Sequence, residues 1–131
     1  MKKVLLDTNA YSGLLRGDDQ VLDALAKAEI VYVSAVVLGE LFAGFRGGSR
    51  YVENTQRLER FMERPQVTLL SVGLETADVF GAVKHQLKQE GKPIPLNDVW
   101  IASHALETGA VLITYDQHFK GVAGLRLWNG I

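Results

Sequence analysis

The chain has 131 residues, of which 47% are hydrophobic and 22% are charged, a composition that is ordinary for one globular domain and excludes a disordered chain. The absence of cysteine excludes a disulfide framework, a thiolate metal site and a cysteine nucleophile. The formal charge of −1 argues against a generally basic surface, so any polyanion has to be bound locally.

The first half of the chain alternates short apolar runs with segments of helical spacing. The predicted elements are a strand over 4–6 that ends at Asp7, a helix capped by Asp18 or Asp19 with Leu22, Leu25 and Ala26 on its apolar face, a strand over 30–33, and a helix over 35–45 capped by Ser34. Residues 46–49 contain two glycines and indicate a flexible break.

The second half continues the alternation. The predicted elements are a helix that ends at Pro65, a strand over 67–72, a helix with Ala77, Phe80, Val83 and Leu87 on one face, a helix that is capped by Asn97 and runs to Gly109, a strand over 110–114, and a possible edge strand over 125–128. Because the strands alternate with helices of ten or more residues, the pattern predicts βαβ units.

The predicted fold class is therefore α/β, with a central, mostly parallel sheet of four to five strands covered by helices on both faces. The absence of repeats and linkers predicts a single domain over 1–131. In sheets of this kind, ligands bind beyond the carboxyl ends of the strands, which is where Asp7 and Asp116 fall.

The chain is expected to be cytoplasmic and to have no contact with membranes. Lys2 and Lys3 are followed by an apolar run of only three residues before Asp7, which is too short for a signal peptide. No uncharged apolar stretch reaches the roughly 18 residues that a membrane-spanning helix needs.

Glu40 is the only charged or polar residue between positions 35 and 45. A buried carboxylate costs several kcal/mol unless a cation or hydrogen-bond donors accompany it. One interpretation is an ion pair with a distant arginine such as Arg46 or Arg57, and the other is a functional acid.

Three further acids also have both a structural and a functional interpretation. In the structural one, Asp98 is favoured by the dipole of a helix in whose first turn it lies, Asp7 caps a helix, and Asp116 belongs to a turn. A parallel sheet brings all three toward one cleft with Glu40, where four carboxylates repel one another unless a divalent cation offsets the charge. Oxygen ligands suit Mg²⁺ or Mn²⁺ rather than Zn²⁺. Without these four, the chain has 11 of its 15 acidic residues left against 14 basic ones. The rest of the surface therefore carries a net positive charge that can meet phosphate.

Four motifs surround these acids: Val4-Leu5-Leu6-Asp7-Thr8-Asn9, Gly39-Glu40-Leu41, Asn97-Asp98-Val99-Trp100-Ile101-Ala102, and Leu112-Ile113-Thr114-Tyr115-Asp116-Gln117-His118-Phe119. Together they resemble a PIN domain of the VapC toxin type, over essentially the whole chain. The resemblance implies a three-layer, PIN-like α/β/α fold and an endoribonuclease that depends on Mg²⁺, for which Mn²⁺ can substitute. It also implies a homodimer held inactive by a small antitoxin, contact with DNA only through that antitoxin, and tRNA or rRNA as the target.

Roles follow for the individual residues. We expect Asp7 and Asp98 to be direct metal ligands, and Glu40 and Asp116 to act through water on the metal or to complete a second metal site. The candidate hydrogen-bond partners of these acids are Thr8, Asn9 and Thr114. Arg46 and Arg50 flank the two glycines and are candidates for contacts with RNA phosphates, although a solvated loop explains them equally well. None of the three histidines is needed as a ligand.

Two other functions compete with this one. The first is an acid-cluster phosphotransfer protein, either a receiver domain or a haloacid-dehalogenase-like phosphatase, but Asp7 stands alone and Asn9 occupies the place of the second phosphatase aspartate. The second is a non-catalytic regulatory module bound to its antitoxin. Loss of one of the four acids would favour that module, and none is lost.

Overall fold

A computed structural model describes residues 2–129, which form four strands, six α-helices and one 3-10 helix in three α/β/α layers. The strands are β1 (Lys3–Leu6), β2 (Ile30–Ser34), β3 (Val67–Leu70) and β4 (Val111–Ile113). Their order in the sheet is β3-β2-β1-β4, and every neighbouring pair is parallel. The predicted α/β class and the four-strand parallel sheet are confirmed.

The helices are α1 (Thr8–Leu15), α2 (Asp19–Ala26), α3 (Ala35–Arg46), α4 (Tyr51–Met62), α5 (Leu74–Gln89) and α6 (Leu96–Thr108), and the 3-10 helix is Gln117–Gly121. None of the helices between residues 2 and 129 combines the length and apolar composition needed to cross a membrane.

The core is centred on β1, where Val4, Leu5 and Leu6 are at most 1% exposed. Leu5 lies opposite Tyr32 of β2 on one side and Leu112 of β4 on the other. A strand buried on both faces needs a continuous apolar run rather than an alternating one, which explains the composition of β1. The parallel arrangement places the carboxyl ends of all four strands at one edge of the sheet.

Between β1 and β2 the structure differs from the predicted elements. Two helices lie there instead of the one predicted, since α1 begins directly after Asp7 and precedes α2. The apolar face predicted for α2 is partly wrong, since Leu22 is 53% exposed and Val21 is fully buried. Asp18 accepts hydrogen bonds from the backbone N–H groups of residues 20 and 21, which fixes the start of α2 and turns Val21 toward the core.

The C-terminal half differs at two points. Helix α6 begins at Leu96 after Pro95, so Asn97 lies inside its first turn and does not cap it. The predicted edge strand over 125–128 is reduced to one isolated parallel bridge between Leu127 and Leu112. Trp128 is nevertheless buried, because its indole N–H donates to the Thr114 carbonyl at 2.6 Å.

Candidate metal centre

The four candidate acids, here called the acidic cluster (Asp7, Glu40, Asp98 and Asp116), belong to four different segments. Asp7 follows β1, and Asp116 lies three residues after the end of β4. These two strands are neighbours in the sheet. Glu40 lies in the middle of α3, and Asp98 lies in the first turn of α6. The charges of these acids affect one another, as the pKa shifts of Asp7 and Asp98 show.

Asp7 is the most buried of the four, with 2% of its surface exposed. It caps α1 by accepting the Thr8 N–H at 2.8 Å on Oδ1, and its Oδ2 accepts the Thr114 hydroxyl at 2.7 Å. The pKa of Asp7 is raised to about 6, mainly by burial; the hydrogen bonds from Thr114 and Thr8 oppose this shift, and the charges of Asp98 and Asp116 add to it. The site therefore holds an ionised Asp7 at an energetic cost near neutral pH.

Glu40 is half-buried at the side of the cleft rather than directed into the core, because Gly39, Ala43 and Gly44 of the same helix are exposed. Its Oε1 accepts the Thr8 hydroxyl at 2.5 Å, and its Oε2 accepts the Asn97 amide at 3.3 Å. Both oxygens are thus oriented by neutral donors.

The alternative interpretation of Glu40 as half of an ion pair finds no support among residues 2–129. Arg57 pairs with Glu53 at 3.1 Å on its own helix. Arg46 donates to the Tyr51 hydroxyl at 2.9 Å and lies over the ring of the same tyrosine. The carboxylate of Glu40 therefore has no cationic partner in the described part of the chain.

Asp98 lies beside a residue that sequence reasoning set aside. The Nε2 atom of His118 is 2.6 Å from Oδ2 of Asp98, and the two side chains are 39% and 13% exposed. Burial raises the pKa of Asp98 and the charges of Asp116 and Glu40 add to this, whereas His118 lowers it. One ligand atom from each of Asp98, Asp116 and His118 lies within 4.8 Å of the other two.

Thr114 links the loop after β4 to the acidic cluster. While its hydroxyl donates to Asp7, the same oxygen accepts the Asp116 N–H at 3.0 Å and the Asn9 amide at 3.4 Å. The side-chain oxygen Oδ1 of Asn9 in turn accepts the Tyr115 backbone N–H at 3.1 Å. Thr8, Asn9 and Thr114 therefore each take part in hydrogen bonds that orient an acid of the cluster or the loop beside it.

Three supporting residues escaped sequence reasoning. Asn97 was expected to cap α6 but contacts Glu40, and Trp128 holds the Thr114 carbonyl. The Tyr115 hydroxyl donates to Asp18 at 2.5 Å, and this bond raises the pKa of Tyr115 to about 12. No local pattern signals these contacts, because each joins residues that are at least 14 positions apart.

Arg46 and Arg50 lie at the end of α3 and immediately before α4, and both are exposed. Within the described residues neither forms an ion pair with the acidic cluster. The exposed segment 47–49 separates them.

The residues of the cluster fit a divalent cation. Carboxylates with raised pKa values gain when positive charge is placed among them, and oxygen donors are the ligands that Mg²⁺ and Mn²⁺ prefer. The carboxylate of Asp116 accepts no hydrogen bond from any residue in the described range, so its oxygens are free to coordinate.

Comparison with known proteins gives consistent matches. A family model described as the PIN domain matches residues 4–125. Ribonuclease VapC1 of Haemophilus influenzae is 30% identical over 127 residues, which cover 93% of each chain. The tRNA(fMet)-specific endonuclease VapC of Shigella flexneri is 30% identical over 95 residues, which cover 72% of this chain and 70% of that protein. The crystal structure of VapBC2 from Rickettsia felis bound to a DNA fragment from its promoter contains a similar chain, with a TM-score of 0.84, 25% identity and coverage of 96% and 97%.

Proposed function

The chain belongs to the PIN-domain family, and we propose that it is a Mg²⁺- or Mn²⁺-dependent endoribonuclease that acts as the toxin of a toxin–antitoxin pair. The observation that carries the proposal is the convergence of Asp7, Glu40, Asp98 and Asp116 in one cleft, with the pKa of Asp7 raised to about 6. Two of the relatives are named as a ribonuclease and a tRNA endonuclease, which supports RNA as the substrate. Cleavage of tRNA or rRNA would inhibit translation.

Asp7 and Asp98 would hold the metal directly, and Glu40 and Asp116 would orient water on it or complete a second site. A divalent ion held by these residues would supply positive charge to the phosphorane-like state and would lower the pKa of the attacking water. Thr114 and the Thr8 N–H fix the two oxygens of Asp7. The Thr8 hydroxyl and Asn97 orient those of Glu40, so that these two carboxylates would not have to be reoriented when the substrate arrives.

Substrate binding would use the exposed arginines Arg46 and Arg50. We propose that each donates to RNA phosphate oxygens, because a guanidinium can bind phosphate through two parallel hydrogen bonds. Local contacts of this kind are what a chain with a net charge of −1 requires.

The proposed partner is a small antitoxin whose basic residues meet the acidic cluster. A similar solved structure is a VapBC2 complex bound to promoter DNA, which supports an antitoxin partner, and we propose that this chain contacts DNA only through that partner. We propose that the chain forms a homodimer in the cytoplasm. The PIN-family match replaces the phosphotransfer alternative, whereas the non-catalytic regulatory module remains the function to be tested against.

The test is RNA cleavage by the purified, antitoxin-free chain. Cleavage is expected with Mg²⁺ or Mn²⁺ and not with chelator, and Asp7→Asn or Asp98→Asn is expected to lower the rate by at least about 100-fold because a ligand of the charge-stabilising metal is lost. Asp78→Asn, which changes an exposed acid of α5, is the matched control and should cleave like wild type. Induction of the wild-type chain should also stop cell growth, and the double variant Asp7→Asn, Asp98→Asn should not.

Full activity in excess chelator, or in the folded double variant, would rule out the proposed mechanism. A folded wild-type chain that cleaves no RNA in the presence of metal would instead favour the regulatory module.

A further inference from the structure

His118 lies at the mouth of the cleft, next to two members of the acidic cluster. Its Nε2 atom is 2.6 Å from Asp98, and its ligand atom lies within 4.8 Å of those of both Asp98 and Asp116. Its side chain is 39% exposed, so a hydrated cation can reach the ring from solvent.

The separations fit a single ion. Ligands of an octahedral cation about 2.1 Å from the metal lie about 3 Å apart when adjacent and about 4.2 Å apart when opposite. One ion can therefore contact all three side chains once the Asp98–His118 pair opens by a few tenths of an ångström and any separation near the 4.8 Å limit closes to about 4.2 Å. The exposed ring can make that movement without disturbing the core.

The backbone on both sides of the pair is firmly held. His118 lies in the 3-10 helix Gln117–Gly121, and the next residue, Phe119, is fully buried and anchors that turn. Asp98 lies in a turn of α6 that is closed by its own N–H, which donates to the Pro95 carbonyl at 3.0 Å. The three ligands are thus positioned before any metal arrives, which lowers the cost of binding.

We propose that His118 is a direct metal ligand beside Asp98 and Asp116, and that its imidazole nitrogen makes this site select Mn²⁺ over Mg²⁺. The proposal rests on the proposed function, of which it specifies the metal. Mg²⁺ prefers oxygen ligands and is reluctant to lose water, whereas the affinity of nitrogen ligands for divalent metals rises along the first transition series from Mn²⁺ onward. A site made of carboxylates alone suits both metals, so it would discriminate less between them.

The other two histidines provide internal controls. His85 is exposed on α5. His104 is fully buried, and both of its ring nitrogens already have partners, the Ser34 hydroxyl and the Ser71 carbonyl. A nitrogen signal from a bound metal can therefore be assigned to one residue by substitution.

The direct test is electron spin echo spectroscopy of Mn²⁺ bound to the full chain at less than one ion per molecule. Wild type should show modulation from a directly coordinated ¹⁴N nucleus, and growth with ¹⁵N-histidine should change it in the way the nuclear substitution requires. His85→Gln should keep the modulation, and His118→Gln should lose it. Bound Mn²⁺ without ¹⁴N modulation in wild type, or failure of Mn²⁺ to bind, would overturn the proposal.

A second measurement tests selectivity by competition between the two metals. His118→Gln should weaken Mn²⁺ binding at least about 10-fold, as loss of a metal-site partner does, and should weaken Mg²⁺ binding much less. Equal weakening of both metals would mean that His118 only orients Asp98, and would contradict the proposal. Neither measurement depends on RNA cleavage, so metal-dependent cleavage without ¹⁴N modulation would overturn the ligand assignment alone.

Discussion

The carboxyl ends of β2 and β3 are closed by neutral groups, whereas those of β1 and β4 lead into Asp7 and Asp116 of the acidic cluster. At the first pair of strands lies a neutral cluster made of Ser34, the Ser71 carbonyl and His104. His104 Nδ1 is 3.0 Å from Ser34 Oγ, and its Nε2 is 3.1 Å from the Ser71 carbonyl. Because a carbonyl only accepts, Nε2 carries the proton and Nδ1 accepts from the serine hydroxyl. Ser34 Oγ also accepts the Val36 N–H at 3.0 Å.

The comparison shows two ways of placing polar groups at one sheet edge. In the neutral cluster each buried group has a partner inside the protein, so burial costs little. In the acidic cluster the hydrogen bonds orient the carboxylates but do not cancel their charge, and the pKa of both Asp7 and Asp98 is raised. Helix α6 contributes to both, with Asp98 in its first turn and His104 in its middle. One cluster stabilises the fold, and the other is held ready for a cation.

The largest effect on stability is expected from removing the neutral cluster. His104→Ala should lower the free energy of unfolding by about 3 kcal/mol, because it leaves a cavity and strands the Ser71 carbonyl without a donor. Urea unfolding in chelator measures this, with the exposed His85→Ala as a control that should stay within about 0.5 kcal/mol of wild type. A loss below about 1 kcal/mol for His104→Ala would remove the contrast between the clusters.

A smaller effect, of opposite sign, is expected from neutralising Asp7. Its pKa is about 6 in the folded chain against 3.8 as the ordinary value, so ionisation destabilises the metal-free fold above pH 6, and the penalty disappears as the pH falls below 3.8. The stability of Asp7→Asn relative to wild type should therefore be higher at pH 7.5 than at pH 4.5 by about 2 kcal/mol.

Urea unfolding of both proteins in chelator at the two pH values gives this difference, in which contributions from titrating groups that do not interact with Asp7 cancel. A difference that does not change with pH would mean that Asp7 carries no electrostatic penalty in the fold.

Much of the fold could be predicted because the strands are encoded locally. The apolar runs at 4–6 and 30–33 need no distant partner to be recognised, and their alternation with helices determines a parallel sheet. The sequence did not predict α1 as a separate helix, because α1 has only eight residues, three of which are polar. The strand predicted at 125–128 is reduced to a single bridge, because within this segment only Arg126 and Trp128 form backbone hydrogen bonds with Leu112 of β4.

The acids could be proposed from the sequence because their surroundings are unusual or belong to a recognisable motif, as with Glu40 in an apolar helix. His118 could not, since its contact with Asp98 spans 20 positions and depends on how the 3-10 helix packs against α6. The orienting role of Asn97 was hidden by its more common role as a helix cap. Contacts that depend on packing between elements are the part that local patterns leave undetermined.

The central claim is that the acidic cluster serves a metal at the expense of stability, and thermal or urea unfolding of wild type and Glu40→Gln, each with Mg²⁺ and with chelator, tests it most directly. In chelator the variant should be at least as stable as wild type, because the Thr8 hydroxyl can still donate to the Gln carbonyl while one negative charge is removed. Mg²⁺ at about ten times its dissociation constant should stabilise wild type by about 1.4 kcal/mol and the variant much less. A loss of about 3–5 kcal/mol in metal-free Glu40→Gln, together with no Mg²⁺ effect on wild type, would show that Glu40 is a structural acid and would contradict the account.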